Sequence, residues 1–425
     1  MCCDGNISAR VDEEFQTLTP VELIHREAIK IDPFDGDVIY KSLTLLKAIQ
    51  SPLSQFSVLQ KSGTNYVANF SLPRRRIRED RQRFDITVLI RGEDRAALIR
   101  EKLGLKTVVA DLSDRTIVTA AAENADVVIN TANADHPEGA SAIVEGLKNR
   151  KAKTGKLGTY IHISGTGALT DKAEGEFADD KVYDDEHVED IKAIPVDYVH
   201  RACDTLISNA GEAGDIRSYI VMPPMIYGRG TGPFHQTSVQ IPALIRGALK
   251  AGQSCYYGKG IPLWNAVHVQ DLTNLVLLLL DDALSSAPKA PNGGEGFYFC
   301  GWQAAPGRDQ LLKRLVTISF QWKQLAQEIG NRLHSHGALP TAETRSFTEQ
   351  EAGDALGTWA AFAYGSNSRS KAIKAHKLGW KPAHGDGNDG LFESIITEYK
   401  FVLEEGRYKS PIVHFDEMYA LSGKK

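Results

Sequence analysis

Ser164 is the first residue whose position could serve chemistry. It ends the short apolar run in Thr159 to Gly167, TYIHISGTG, and opens a Gly-Thr-Gly turn. A hydroxyl at the carboxyl end of a buried strand faces the crevice where open parallel sheets bind ligands, and there it can meet a substrate oxygen. A Ser-Gly pair is also ordinary punctuation that merely ends a strand. Arg91 stands directly after the run ending at Ile90. An acid at that point hydrogen-bonds a ribose 2′-hydroxyl, whereas an arginine pairs with a 2′-phosphate, which tilts the expectation toward NADP over NAD. Asp111 and Leu112 follow the next strand, at an adenine edge, and Thr131, Ala132 and Asn133 follow the one after. The small side chains of the latter suit a ribose and nicotinamide path, although for each of these residues taken alone a surface arginine or an ordinary strand-end turn is the commoner meaning.

The elements that must position these residues begin to alternate at Phe84. Strands are expected at Asp85 to Ile90, Thr107 to Ala110, Asp126 to Asn130 and Tyr160 to Ile163. Between them lie helices at Asp94 to Leu103 and Asp114 to Asn124, and a third whose stripe is Ala140, Ile143, Val144 and Leu147. Val- and Ile-rich strands separated by helices form right-handed crossovers and a parallel sheet covered on both faces. The expected fold class is therefore α/β, a doubly wound parallel sheet. A helix from Tyr198 to Ala210 capped by Gly211, and a strand from Ser218 to Met222, continue the pattern until Pro223 and Pro224 stop it. After that come a helix at Ile241 to Ala251, a strand-like run at Trp264 to Val269, an apolar helix at Asp271 to Leu284 and a strand at Phe297 to Cys300. Leu311 to Leu333 could hold one or two helices, and Ser335 to Asp354 reads as exposed loop.

Composition narrows the class. Hydrophobic residues make up 42% and charged residues 24% of 425, ordinary for a globular chain long enough for one large or two moderate domains. A net charge of -5 gives no pull toward nucleic acid or an anionic membrane, so neither is an expected partner. The five cysteines, at positions 2, 3, 203, 255 and 300, form neither a disulfide framework nor a metal motif, and they fit a cytoplasmic setting. The opening MCCDGNISARVDEEF has no apolar signal region. The longest aliphatic run, Leu275 to Leu280, is far short of the ~20 residues that span a bilayer. Residues 1–83 show no sustained period beyond a helix somewhere in Asp37 to Gln50, and they close on six arginines between Arg74 and Arg83. With no aromatics interleaved for base stacking, that cluster reads as a solvated linker.

Two longer segments carry a family likeness. RSYIVMPPMIYGRGTGP (Arg217 to Pro233) and WNAVHVQDLTNLVLLLL (Trp264 to Leu280), followed by Asn367, Arg369 and LGWKP (Leu378 to Pro382), occur in this order. Together they resemble the extended short-chain dehydrogenases/reductases of the fungal NAD-dependent epimerase/dehydratase type. The resemblance covers roughly 84–300 and 361–400. It implies a Rossmann-like half (84–235) behind an atypical amino-terminal segment (1–83). A smaller α/β substrate-capping part (236–425) with an irregular 301–360 insert would follow. The implied function is that of an NAD(P)-dependent oxidoreductase or epimerase/dehydratase-like enzyme for a small carbonyl, alcohol or sugar-nucleotide. The alternatives are a non-catalytic NmrA-like dinucleotide sensor and a remnant that has lost cofactor binding.

Within this likeness Ser164 matches the family's serine, Tyr198 is the candidate for its catalytic tyrosine, and Pro223, Met225 and Ile226 join the cofactor-facing set. A homodimer is expected by analogy. The sequence departs from the family twice. Ala202 stands where the lysine of Tyr-x-x-x-Lys belongs, and a tyrosine of ordinary pKa, ~10, is a poor base at neutral pH. His200 and Arg201 offer positive charge nearby, but adjacent helical residues point in different directions. Residues 1–83 hold only Gly5, Gly36 and Gly63, too few for the glycine-rich phosphate loop. Gly36 to Tyr40, with Ala28 to Ile31 as a strand before it, is the nearest candidate for the start of the first βα unit.

Overall fold

The computed structural model describes residues 54–60, 84–234, 236–301, 303–304, 316–317, 319–385 and 390–408. The helix expected within Asp37 to Gln50, the strand at Ala28 to Ile31 and the arginine cluster lie outside them. The sheet is built from β1 (Ser54–Gln60), β2 (Phe84–Ile90), β3 (Lys106–Val109), β4 (Val127–Thr131), β5 (Thr159–Ile163), β6 (Arg217–Met222) and β7 (Phe297–Phe299). Its spatial order is β7-β6-β5-β4-β1-β2-β3, and every pairing is parallel. Helices α1 (Glu93–Leu103), α2 (Arg115–Glu123) and α3 (Pro137–Thr154) make the crossovers.

β4 and β5 are buried at every residue, as expected for strands covered on both faces, and this is why they read as continuous apolar runs. β1 is the difference from the sequence reading, because the sheet takes a strand upstream of residue 84 and places it centrally, between β4 and β2. Its sequence, SQFSVLQ, mixes serine and glutamine into the apolar positions and so lacks the signature of a central strand. The order reverses between β1 and β4, making their carboxyl ends the topological switch point where a crevice opens.

The crossovers are locally well specified. α3 starts with Pro137 in its first turn, and His136 Nδ1 accepts from Gly139 N at 2.9 Å. Gly155 ends it in the left-handed conformation, with φ +68°. Gly146 lets α2 approach closely, since a Cβ there would stand 2.3 Å from the Thr119 carbonyl oxygen.

A second core lies beyond β6. Met225–Tyr227, Leu263–His268 and Ser319–Gln321 form a three-stranded sheet, against which helices Gln240–Ala251, Trp322–Ser335 and Ser394–Tyr408 pack. Trp264 and Trp322 sit at its centre, with ring centroids 5.5 Å apart. Two local expectations change. The region Ser335 to Asp354 is not all loop: Thr344–Ser346 is a strand, and Glu349–Leu356 is a helix begun by a Thr348–Glu351 capping box. The helix expected from Tyr198 is α4, Arg201–Glu212, which starts three residues later and runs through Gly211. Gly211 serves close packing rather than capping, since a Cβ would meet Ser218 Oγ at 2.2 Å and Gly293 Cα at 2.5 Å.

Candidate functional site

The crevice is lined by the residues that follow β2, β3, β4 and β5. After β2, Arg91 Nη1 donates to Asp111 Oδ2 at 2.6 Å, which ties the ends of β2 and β3 together. Burial raises the pKa of Asp111. The Ser113 amide and hydroxyl, at 2.9 and 2.7 Å, and the Arg91 guanidinium outweigh that effect and hold its carboxyl below the usual range. Leu112 is buried against the start of α3, where a Cβ on Gly139 would stand 2.2 Å from Leu112 Cγ.

At the end of β4 Thr131 is buried, and after it Ala132 is buried and Asn133 half-buried. Asn130 sets this turn, because its Oδ1 accepts from Ala132 N at 2.9 Å while its Nδ2 reaches Tyr160 Oη at 3.0 Å. The same amide lies 3.3 Å from His162 Nδ1. Burial, with His200 beside it, pulls the pKa of His162 down to about 3, so this imidazole is neutral.

The turn after β5 is braced from two sides. Ser164 N donates to Val221 O at 2.8 Å and Thr166 N to Pro223 O at 2.9 Å, so the end of β6 and the proline-rich loop after it hold the Ser-Gly-Thr-Gly backbone. Ser368, between Asn367 and Arg369, donates its hydroxyl to Thr166 O at 2.8 Å, and Asn367 Nδ2 donates to Asp171 Oδ2 at 2.8 Å. The Asn-x-Arg segment thus clamps the second core onto this turn. Met225 and Ile226 are buried in the two cores on either side of the loop. Ser164 itself is 3% exposed; among the described residues its hydroxyl makes no well-formed hydrogen bond and has the buried Asp204 carboxylate beside it, while the Thr166 hydroxyl has no partner. Hydroxyls in this state at the mouth of a switch-point crevice are the feature a bound polar ligand would satisfy.

Tyr198 is placed elsewhere. It precedes α4, and its hydroxyl donates to the Thr170 carbonyl at 2.8 Å, so the phenol is engaged by the backbone. The residue that faces the turn is His200. A Cβ on Gly165 would stand 3.0 Å from His200 Nε2, and one on Gly167 3.1 Å, so the two glycines make room for the imidazole. Asp135, in the loop after β4, accepts from His200 N at 2.7 Å and pairs with its Nδ1 at 2.9 Å. That double contact holds His200 at φ +65°, a left-handed conformation costing roughly 1–2 kcal/mol for a residue with a Cβ.

One turn along α4, Asp204 is fully buried and lies 3.6 Å from the Arg201 guanidinium. Burial pushes its carboxyl up to about 6, against the opposing pull of Arg201, His200 and Ser164. For His200, burial favours the neutral ring, yet the Asp135 and Asp204 carboxylates outweigh it and leave its pKa raised. The chemically equipped centre is therefore Ser164, His200, Asp135 and Asp204. Sequence reasoning reached Ser164 and missed the two acids. The available signal was His200 and Asp204 at i and i+4, the spacing of Tyr-x-x-x-Lys with both residue types exchanged.

Set beside known proteins, residues 75–292 match the profile of the NAD-dependent epimerase/dehydratase family. The chain belongs to that family. Its cofactor class is accordingly NAD(P). The chain is 26% identical over 315 residues to the oxidase ucsJ of an Acremonium species, an alignment covering 70% of this chain and 85% of that one. The fold is shared with the PbgP3 protein of Burkholderia pseudomallei, at a TM-score of 0.51 and 14% identity over 79% of this chain and 93% of that one. It is shared equally with a UDP-glucuronic acid 4-epimerase of Bacillus cereus, solved with a UDP-sugar analogue and NAD. That match has a TM-score of 0.50 and 12% identity over 80% and 98% of the respective chains. Among the described residues, no cluster of three or more His, Cys, Asp or Glu could hold a metal ion. No helix among them is long and apolar enough to cross a membrane.

Proposed function

We propose that this chain is an NAD(P)-dependent oxidoreductase or epimerase/dehydratase-like enzyme acting on a small carbonyl, alcohol or sugar-nucleotide. The carrying observation is the Ser164 hydroxyl at the carboxyl end of β5, beside the switch point, which makes no well-formed hydrogen bond among the described residues and has the Asp204 carboxylate next to it. The dinucleotide supplies hydride exchange. Ser164 orients the substrate oxygen by donating a hydrogen bond to it. Thr131, Ala132 and Asn133 leave a path for the nicotinamide half, and Asp111 with Leu112 borders the adenine. Pro223, Met225 and Ile226 shape the far wall through the backbone they hold.

Preference for NADP belongs to this reading. Arg91 is 29% exposed at its side chain and already paired to Asp111, which pre-orients its guanidinium at the place of a 2′-phosphate. A second reading, a dinucleotide sensor without turnover, is favoured by one observation: the Tyr198 hydroxyl is spent on Thr170 and no lysine follows it. Calorimetric titration with NADPH and NADH tests the cofactor claim, with binding of both and tighter binding of NADPH expected. Failure of either dinucleotide to bind at millimolar concentration would remove the enzyme and sensor readings together.

A further inference from the structure

The Tyr198 hydroxyl is committed to the Thr170 carbonyl and Ala202 stands in the place of the lysine, yet the turn at Ser164 carries an imidazole. We infer that His200, oriented by Asp135, is the proton carrier at the substrate oxygen held by Ser164. This rests on the dinucleotide-enzyme reading above and names the residue that performs its acid–base step.

Three features of the geometry carry the inference. Nδ1 is committed to Asp135 at 2.9 Å, which leaves Nε2 as the exchanging atom, and Nε2 has no hydrogen-bond partner among the described residues. Nε2 points at the backbone on both sides of Thr166, because the would-be Cβ atoms of Gly165 and Gly167 both lie about 3 Å from it. The ring keeps 11% of its side-chain surface accessible, whereas Ser164 and Asp204 are closed off. A carboxylate fixing one ring nitrogen so that the other can trade protons is how imidazoles are set up for general acid–base work.

The charged and titratable surroundings favour the acid form at rest. Asp135 from the loop after β4 and Asp204 from α4 itself face the ring with negative charge. Arg201 is paired to Asp204, and His162 on β5 stays neutral. In the reductive direction His200 gives its Nε2 proton to the carbonyl oxygen as hydride from the reduced dinucleotide reaches the carbonyl carbon. With a reduced dinucleotide bound, the imidazole N–H bond, the C–H bond of the dihydronicotinamide and the carbonyl π bond would break while O–H and C–H bonds form; the carbonyl would be reduced, the dinucleotide oxidised, and the neutral imidazole would take back a proton from solvent, leaving hydroxide to the buffer. Asp135 is a positioning residue in this scheme.

The test follows the His200 ring in the full-length protein by histidine carbon–proton NMR, with the resonance assigned by its loss in His200→Asn. Asparagine tolerates the left-handed backbone, so this variant keeps the entry to α4. The imidazole should titrate above 6.5 in the free protein and lower in Asp135→Asn. It should also titrate lower with NADP⁺ bound than with NADPH bound, because oxidised nicotinamide carries a positive charge that opposes a second cation nearby. A His200 titration identical in the two complexes, while calorimetry shows both dinucleotides bound, overturns the inference and leaves the enzyme reading standing. Absence of binding in calorimetry overturns both.

Discussion

Asp135→Asn is the perturbation that most directly weighs the clamp on His200. The carboxylate meets His200 twice, at the backbone N at 2.7 Å and at Nδ1 at 2.9 Å. Asparagine keeps an oxygen for the backbone amide but loses the charge opposite the ring. A hydrogen bond to a charged group contributes about 1.5–3 kcal/mol, so the loss should be about 2 kcal/mol where His200 is protonated. The sign of the pH dependence follows from linkage. The folded pKa of His200 is raised, so its stabilisation is complete below the unfolded value of 6.5 and disappears as pH rises through the folded value. Urea unfolding followed by tryptophan fluorescence, at about pH 5.5 and about pH 8.5, should therefore show the larger deficit at the acidic value. An equal deficit at both, or a larger one at the alkaline value, would refute the assignment of a charged His200–Asp135 pair.

Three more outcomes are expected. Ser164→Ala should lower any turnover by roughly ten-fold or more through loss of an oriented donor, and an unchanged rate in NADPH-coupled assays would remove Ser164 from the chemistry. Tyr198→Phe should leave that turnover within about two-fold while costing about 1 kcal/mol of stability, the worth of its bond to Thr170; a collapse in rate with stability intact would restore the tyrosine as the acid. Arg91→Ala should weaken NADPH binding by about ten-fold or more and NADH binding far less, as read by calorimetry, in line with loss of a charge-assisted phosphate contact. Equal weakening of both would mean that Arg91 acts only by holding Asp111.

Much of the sheet was legible because buried parallel strands must be apolar on both faces. DITVLI, DVVIN and SYIVM are visible for that reason, and the residues following each strand could be assigned to a crevice before any coordinates. β1 was not legible: SQFSVLQ owes its place to its neighbours β2 and β4 rather than to its own pattern. The Asn-x-Arg segment was recognisable as a motif, but its purpose of bracing Thr166 lies 202 residues away along the chain.

Ser164 and its flanking glycines were determined by sequence alone, since an apolar run ending in Ser-Gly-Thr-Gly has few structural meanings. What fills the space above those glycines was decided only in three dimensions. The left-handed turn at His200 delays α4 by three residues, carries Tyr198 away to Thr170 and brings an imidazole over the turn. Asp135, 65 residues earlier, holds it there. Long-range pairing of a loop carboxylate with a helix-entry imidazole leaves no local periodicity, so only the packing of β4 beside β5 brings it about.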